Sequence, residues 1–511
     1  MSGQSTIHEL LQAGDDDAIA VSGLGRSGLE YGRLRKQAAE TVVSLNGLGI
    51  GRNDRVAIVL PNGPEMATAF VSIACGATTA PLNPGYKRDE FDFYLSDLGA
   101  KALVVGKGSE SPAVEAALAR GIRILDLCTD ENEQSGTFTL EPREAGGQPW
   151  AINNGLAEAE DIALVLHTSG TTSRPKIVPL SHSNICASAG NIQNSLNLNS
   201  DDVCLNMMPL FHIHGLMAAV LASLGAGASV LAAPRFDALK FFSWLEQANP
   251  TWYSAVPTMH QMILTRAKRN AEIIAGARLR FIRSASSSLP PQVLAELEKT
   301  FHVPVVEAYA MTEAAHQMTC NQLPPGQRKP GTVGCAAGPE VAVMDETVPQ
   351  LLETGSTGEI VIRGDNVTAG YENNPTANAE CFVNGWFRTG DQGVMDEDGF
   401  LTITGRLKEI INRGGEKISP REVDDVLMDH AAVQQVVTFA MPHKSLGEEV
   451  AAAVVLREGQ YADESGIRLF AGERLASFKV PRRIIILDEI PKGATGKLQR
   501  IGLAEKLGVT R

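Results

Sequence analysis

The chain has 511 residues, 44% hydrophobic and 20% charged, with a formal net charge of −14. That length suggests roughly two to four domains, and the composition is that of globular material with apolar side chains enough for large cores. The acidic balance and the lack of a Lys/Arg run exclude a general nucleic-acid binder and require anionic ligands to be met by local cationic pockets.

Short apolar runs alternate with amphipathic segments from the start. Arg55-Val-Ala-Ile-Val-Leu60 reads as a buried strand and Pro64–Ala74 as a helix. Ala102–Val105, Ile122–Leu125, Val203–Asn206, Ser229–Ala232, Trp252–Ala255 and Phe281–Arg283 repeat the strand signal between helical stretches. Such alternation implies parallel sheets covered by helices. From about Val333 the runs Val341–Met344, Gly358–Arg363 and Phe400–Thr404 are closely spaced and divided by turn residues, which predicts a small antiparallel β subdomain. Beyond Gly405 a smaller α+β unit begins. Its helix starts at Ser419-Pro420, an N-cap followed by proline, and strands are expected at Val433–Phe439 and Ala451–Leu456. The fold class is therefore α/β. A large N-terminal domain of helix-covered parallel sheets, with the small β subdomain, spans residues 1–407; a small mobile α+β domain spans 408–511.

One stretch points to chemistry. His167-Thr-Ser-Gly-Thr-Thr-Ser-Arg-Pro-Lys176 gathers hydroxyls, a glycine and a lysine directly after the apolar run Ile162–Leu166. That is the composition of a loop that wraps a polyphosphate, with Thr168, Ser169, Gly170, Thr171 and Thr172 donating and Lys176 supplying charge. It is not a Walker-type loop, and alone it reads better as a Ser/Thr-rich surface turn. Further segments follow in order: Tyr309-Ala-Met-Thr-Glu313, Trp386-Phe-Arg-Thr-Gly-Asp391, Gly405-Arg-Leu-Lys-Glu409, Arg413-Gly-Gly-Glu-Lys-Ile-Ser-Pro420 and Pro491-Lys-Gly-Ala-Thr-Gly-Lys497. Tyr309 offers an aromatic face for adenine. Asp391, read as part of a Thr-Gly-Asp turn, can accept from both ribose hydroxyls, with Arg406 beside the ribose or the α-phosphate.

Together these segments resemble the acyl-adenylate-forming superfamily of acyl-CoA synthetases, luciferases and peptide-synthetase adenylation domains, over essentially the whole chain. The resemblance implies an enzyme that uses ATP, Mg²⁺ and CoA. Its catalytic set would be Lys497, Thr168, Glu313 and His212. Lys497 would bridge the attacking carboxylate and the α-phosphate, and Glu313, a hard carboxylate, would hold Mg²⁺. Ser286, Glu307, Ala308 and Thr312 would flank the nucleotide. Lys408 stands at the family's hinge, and rotation there would exchange the Lys497 face for Arg413, Gly414, Gly415 and Glu416, where CoA would bind.

The acid is narrowed by detail. Phe211-His-Ile-His-Gly215 lacks the aspartate that would hold an amino acid's ammonium. Ala308-Tyr309-Ala310, Arg283-Ser-Ala-Ser-Ser-Ser288, His316 and Trp252–His260 together resemble the wording of oxalate–CoA ligases. A small-molecule dicarboxylate such as oxalate needs partners for its second, ionised carboxylate. His212, His214, Arg283, Ser286, Ser288 and His316 are the expected ones. A ligase for another short, dicarboxylic or coumarate-type acid is the alternative within the class, and a non-catalytic nucleotide-binding protein the alternative outside it. Seven scattered cysteines without a C-x-x-C pair predict reduced thiols. No apolar run approaches about 18 residues, and neither a signal peptide nor a peroxisomal address is evident. A cytoplasmic protein without a membrane span is expected, with the choice between monomer and homodimer open.

Overall fold

The computed structural model describes residues 4–130, 132–144, 150–168, 175–491 and 498–509. Two large sheets form the body. The first has seven strands in the order Thr139–Pro142, Arg123–Cys128, Ala102–Gly106, Arg55–Val59, Thr78–Pro81, Ile162–Thr168, Lys176–Ser181. Its centre is parallel, and the last two strands are antiparallel, with Thr168 opposite Lys176. The second has nine strands, with a parallel run through Val305–Met311, Phe281–Ser284, Trp252–Ala255, Val203–Asn206 and Ser229–Ala232. The strands Trp252–Ala255 and Phe281–Ser284 are buried at every position. A parallel sheet covered on both faces demands such unbroken burial, which explains their lack of polar alternation.

The helix Pro64–Ala74 shows how the two sheets are joined. Pro64 opens it at the first helical position, and every residue from Met66 to Ala74 is buried. A helix that is apolar all round must be enclosed, and this one packs on Thr78–Pro81 of the first sheet and on Ile19–Ser22 and Ser229–Ala232 of the second. Trp252 and Phe281, both fully buried, stack at 5.4 Å on the same face of the second sheet.

The β subdomain is an antiparallel sheet of Glu340–Met344, Thr357–Arg363, Trp386–Met395 and Phe382–Val383, with Leu401–Arg406 on Trp386–Met395. Thr389-Gly390-Asp391 lies inside the ten-residue strand Trp386–Met395 and is not a turn. Three residues there face one on the neighbouring strand between the pairs Glu359–Gln392 and Val361–Arg388. Gly390, at φ +75°, supplies the left-handed backbone of that bulge. Turn-forming residues were needed, but to bend a strand.

The C-terminal sheet is built on one long hairpin, Val433–His443 with Gly447–Leu456, which extends both expected strands until they meet. Ile411–Arg413 and Glu416–Ile418 form a second hairpin beside it. Ser419 caps the helix Pro420–Met428 by accepting from the N–H of Glu422, as its sequence predicts. The buried apolar clusters separate here: those built on residues up to Leu401 share no buried member with those from Ile411 onward. Polar contacts join the two regions. Arg421 donates to the Ile403 carbonyl at 2.6 Å, Ser419 to that of Thr404, and Lys417 pairs with Glu346 at 2.9 Å. Among the described residues no helix is long and apolar enough to cross a membrane.

Candidate active site

A cleft opens where the second large sheet, the β subdomain and the C-terminal region converge. Ser286, Ser288, Glu307, Ala308, Tyr309, Asp391 and Arg406 line it, faced by Asp424, Leu498 and Arg500. Tyr309, on the strand Val305–Met311, donates its phenolic O–H to Asp391 Oδ2 at 2.5 Å. Arg406 stands directly opposite Asp391 in the strand register and donates to Oδ1 at 2.8 Å. The aspartate thus sits between a fixed donor and a fixed cation. It holds the Arg406 guanidinium above its usual range, and burial together with that carboxylate raises the Tyr309 hydroxyl well above its own. Glu307 is 1% exposed and accepts from the Leu289 N–H at 2.8 Å; burial pushes its carboxyl up to about 7.

A second group assembles around Glu313, in the short 3₁₀ turn Thr312–Ala314. Tyr371 donates to Glu313 Oε1 at 2.8 Å, and Lys176 Nζ lies 4.3 Å from the centroid of the Tyr371 ring. Burial pushes the Glu313 carboxyl up while the Tyr371 hydroxyl opposes that shift. Tyr371 is itself held, its N–H donating to Asn378 Oδ1 at 2.7 Å. No cluster of three or more metal-ligating side chains occurs among the described residues. One hard carboxylate suits Mg²⁺ that arrives with phosphate oxygens as its other ligands, and not a cation held by protein alone.

The third group lies beneath Ser286. His214 begins a π-helix, His214–Leu221, in which every residue is buried. Gly215 permits that start, since a Cβ there would come 2.5 Å from the Pro209 carbonyl. His214 Nδ1 is 3.0 Å from Ser286 Oγ and its Nε2 is 2.7 Å from Ser254 Oγ. The His316 ring, fully buried, lies 5.2 Å from that of His214. Arg283 is also fully buried and does not line the cleft; it donates to Ser254 Oγ at 3.4 Å and to Gln317 Oε1 at 3.1 Å. His212 is half-buried beside Phe211, at a ring distance of 5.2 Å.

Residues 11–372 match the AMP-binding enzyme family, and residues 422–497 match the AMP-binding enzyme C-terminal domain. The chain belongs to the AMP-binding enzyme family. Two relatives are oxalate–CoA ligase of Arabidopsis thaliana, 45% identical over 491 residues (95% of this chain and 94% of that one), and oxalate–CoA ligase of Saccharomyces cerevisiae, 43% identical over 476 residues (89% and 87%). Among solved structures, ATP-bound MatB from Rhodopseudomonas palustris is similar with a TM-score of 0.87 at 28% identity, over 98% of each chain; apo MatB gives 0.78.

Not every expected residue of this AMP-binding enzyme meets at the cleft. Arg413 pairs with Glu449 at 2.5 Å, and Gly414 and Gly415, at φ +61° and +99°, turn a hairpin whose tip is exposed with Glu416. None of these four lines the cleft, and of the expected acid-binding residues His212, His214, Arg283 and His316 do not line it either. Lys408 is exposed in the turn after Leu401–Arg406. Ser169, Gly170, Thr171, Thr172 and Lys497 lie outside the described residues; Thr168 and Lys176 flank the first four as a cross-strand pair, and Leu498 and Arg500 follow the last into the cleft. Tyr371, Ser254 and Gln317 were missed by sequence reasoning. The single cue for Tyr371 was its place in a Gly-Tyr step shortly before Pro375.

Proposed function

We propose that this chain is an AMP-forming oxalate–CoA ligase. In the first step an oxalate oxygen attacks the α-phosphorus of ATP, the bond to the β-phosphate breaks and pyrophosphate leaves. In the second the CoA thiolate attacks the oxalyl carbon and AMP departs. Both reactants of the first step are anions, so the site must supply donors and positive charge. Lys176 meets the outer phosphates in this reading, and Arg406 stands on the α-phosphate side. Asp391, steadied by Tyr309 and Arg406, accepts from the ribose. Glu313 would hold Mg²⁺, which when bound neutralises phosphate charge. Lys497 carries the α-phosphate role that the family resemblance gives it.

The observation that carries the choice of acid is the polar group beneath Ser286. Ser286 lines the cleft, and His214, Ser254 and His316 are buried behind it, a polar surround where a fatty or aromatic acid would need an apolar one. The identity to two oxalate–CoA ligases over nearly the full chain supports the same reading. We assign residues 1–407 and 408–511 to two domains hinged at Lys408, with Arg413–Glu416 turned toward CoA after rotation. The greater likeness to ATP-bound than to apo MatB, and the presence of Leu498 and Arg500 in the cleft, support assigning the arrangement described here to the adenylating step. The location in this reading is the cytoplasm.

Pyrophosphate release with ATP, Mg²⁺ and a panel of oxalate, malonate, acetate, octanoate and coumarate tests the proposal. Oxalate should exceed acetate in kcat/KM by roughly 10⁴-fold, the scale on which a site with buried polar partners rejects an analogue lacking the matching group. Equal values for oxalate and octanoate, or a maximum at coumarate, would overturn it.

A further inference from the structure

Beneath the cleft runs a chain of four side chains whose hydrogen bonds can be ordered in one direction. A guanidinium only donates, so Ser254 Oγ accepts from Arg283. Ser254 is 2% exposed, and the acceptor left for its own proton among the described residues is His214 Nε2. His214 therefore accepts at Nε2 and carries its proton on Nδ1, from which it donates to Ser286 Oγ. With one Ser286 lone pair engaged, its hydroxyl proton is directed away from His214, and Ser286 lines the cleft. Ser286 holds φ +73°, a left-handed backbone that serine adopts only under outside constraint.

The electrical side of the same chain is unusual. Arg283 has no carboxylate partner among the described residues; the ionisable groups that act on it are the thiols of Cys204 and Cys320. Burial lowers its pKa. Its second amino group is held by Gln317, which is neutral and is locked in turn by donation to Ser195 Oγ at 2.9 Å and to the Asn191 and Ala337 carbonyls. A buried cation without an anion is costly, and an anion at the far end of the donor chain would relieve that cost.

We propose that Arg283 is a specificity-determining positioning residue: without touching the acid, it fixes Ser254, His214 and Ser286 as a one-way donor relay aimed at the substrate's second carboxylate. The inference rests on the oxalate reading above and adds to it the source of the preference. A purely structural arginine would stiffen the core and leave binding of the acid and of ATP equally affected or equally spared.

The test uses the full chain with Arg283→Met, Arg283→Lys and Ser254→Ala, measuring thermal unfolding with and without oxalate and the KM values for oxalate and ATP. Arg283→Met should leave the ligand-free unfolding temperature unchanged or raised, because an unpaired buried charge is gone, and should abolish the oxalate-induced shift. Its oxalate KM should rise about 10- to 100-fold, the loss expected when hydrogen bonds to a charged group are weakened, while the ATP KM stays within about 2-fold. Ser254→Ala should act in the same direction although the guanidinium remains, and Arg283→Lys should recover part of the oxalate affinity. A wild-type oxalate KM in Arg283→Met overturns the proposal, as does a parallel rise of both KM values with a lowered unfolding temperature. Should Arg283→Met fail to fold, Ser254→Ala decides, and a normal oxalate KM there overturns the relay. If the unaltered chain neither turns over oxalate nor is stabilised by it, the oxalate reading fails and this inference with it; a wild type that responds while the variants match it sinks the relay alone.

Discussion

Replacing Tyr371 with phenylalanine isolates one hydroxyl. Tyr371 is 6% exposed, and its O–H donates to a Glu313 carboxylate that is itself 7% exposed, so water cannot readily replace the lost donor. Hydrogen bonds to charged groups contribute about 1.5–3 kcal/mol, and each 1.4 kcal/mol is about tenfold. Burial already pushes the Glu313 carboxyl up, and the Tyr371 hydroxyl counters it. Without that donor the carboxyl moves further up. If ionised Glu313 serves Mg²⁺ and phosphate, Tyr371→Phe should lower kcat/KM for ATP at pH 7 by about 10- to 100-fold. The acid limb of its pH profile should move to higher pH, with activity recovering toward wild type as pH rises. The ring is kept, so the contact of Lys176 with its face is kept as well; Tyr371→Leu should lose both. The assay is pyrophosphate release across pH 6–9 at several Mg²⁺ concentrations. An unmoved acid limb with kcat/KM within about 2-fold of wild type would refute the argument.

Three other outcomes are expected. Glu307, whose carboxyl rises from its ordinary 4.5 to about 7, binds a proton in the folded chain that the unfolded chain has released, so stability falls as pH rises through that window. Glu307→Gln should gain up to about 3 kcal/mol at pH 8 and nothing at pH 4; equal gains at both, by chemical denaturation, would contradict this. Leu427, fully buried in the C-terminal cluster, should cost about 2–5 kcal/mol when changed to alanine, and calorimetry should show the C-terminal region unfolding ahead of the rest; a single shifted transition would count against separate cores. Lys497→Ala should abolish oxalate-dependent pyrophosphate release, and a near-normal rate would remove that lysine from the catalytic set.

Much of the scaffold was readable because local chemistry and tertiary demand coincide. At Pro64 and at Ser419-Pro420 the residues that start a helix stand directly before its apolar face. The misreading of Asp391 has a physical cause: Thr-Gly-Asp suits a turn and a bulge alike, and the choice between them is made by the neighbouring strand Thr357–Arg363, a partner that local sequence does not name. Arg283 was unreadable for a related reason. On a strand buried on both faces, parity does not tell which side chains meet solvent. Tyr371 and Glu313 lie 58 residues apart and meet only in the folded chain.

The π-helix at His214–Leu221 has a consequence of another kind. Its extra residue per turn is not encoded by any one side chain, since all eight positions are buried and seven of them are apolar or glycine. Deleting a single residue such as Ala218 would let the segment relax to an ordinary helix. The flanking segments would keep their phase, because the wide turn is what takes up the extra residue, while the backbone inside the turn would move. His214, at the first position of that turn, would shift against Ser254 and Ser286 with its identity intact. Under the proposed function the choice of acid would be recorded partly in chain length, which point substitution does not sample and which a one-codon insertion or deletion reaches in a single step.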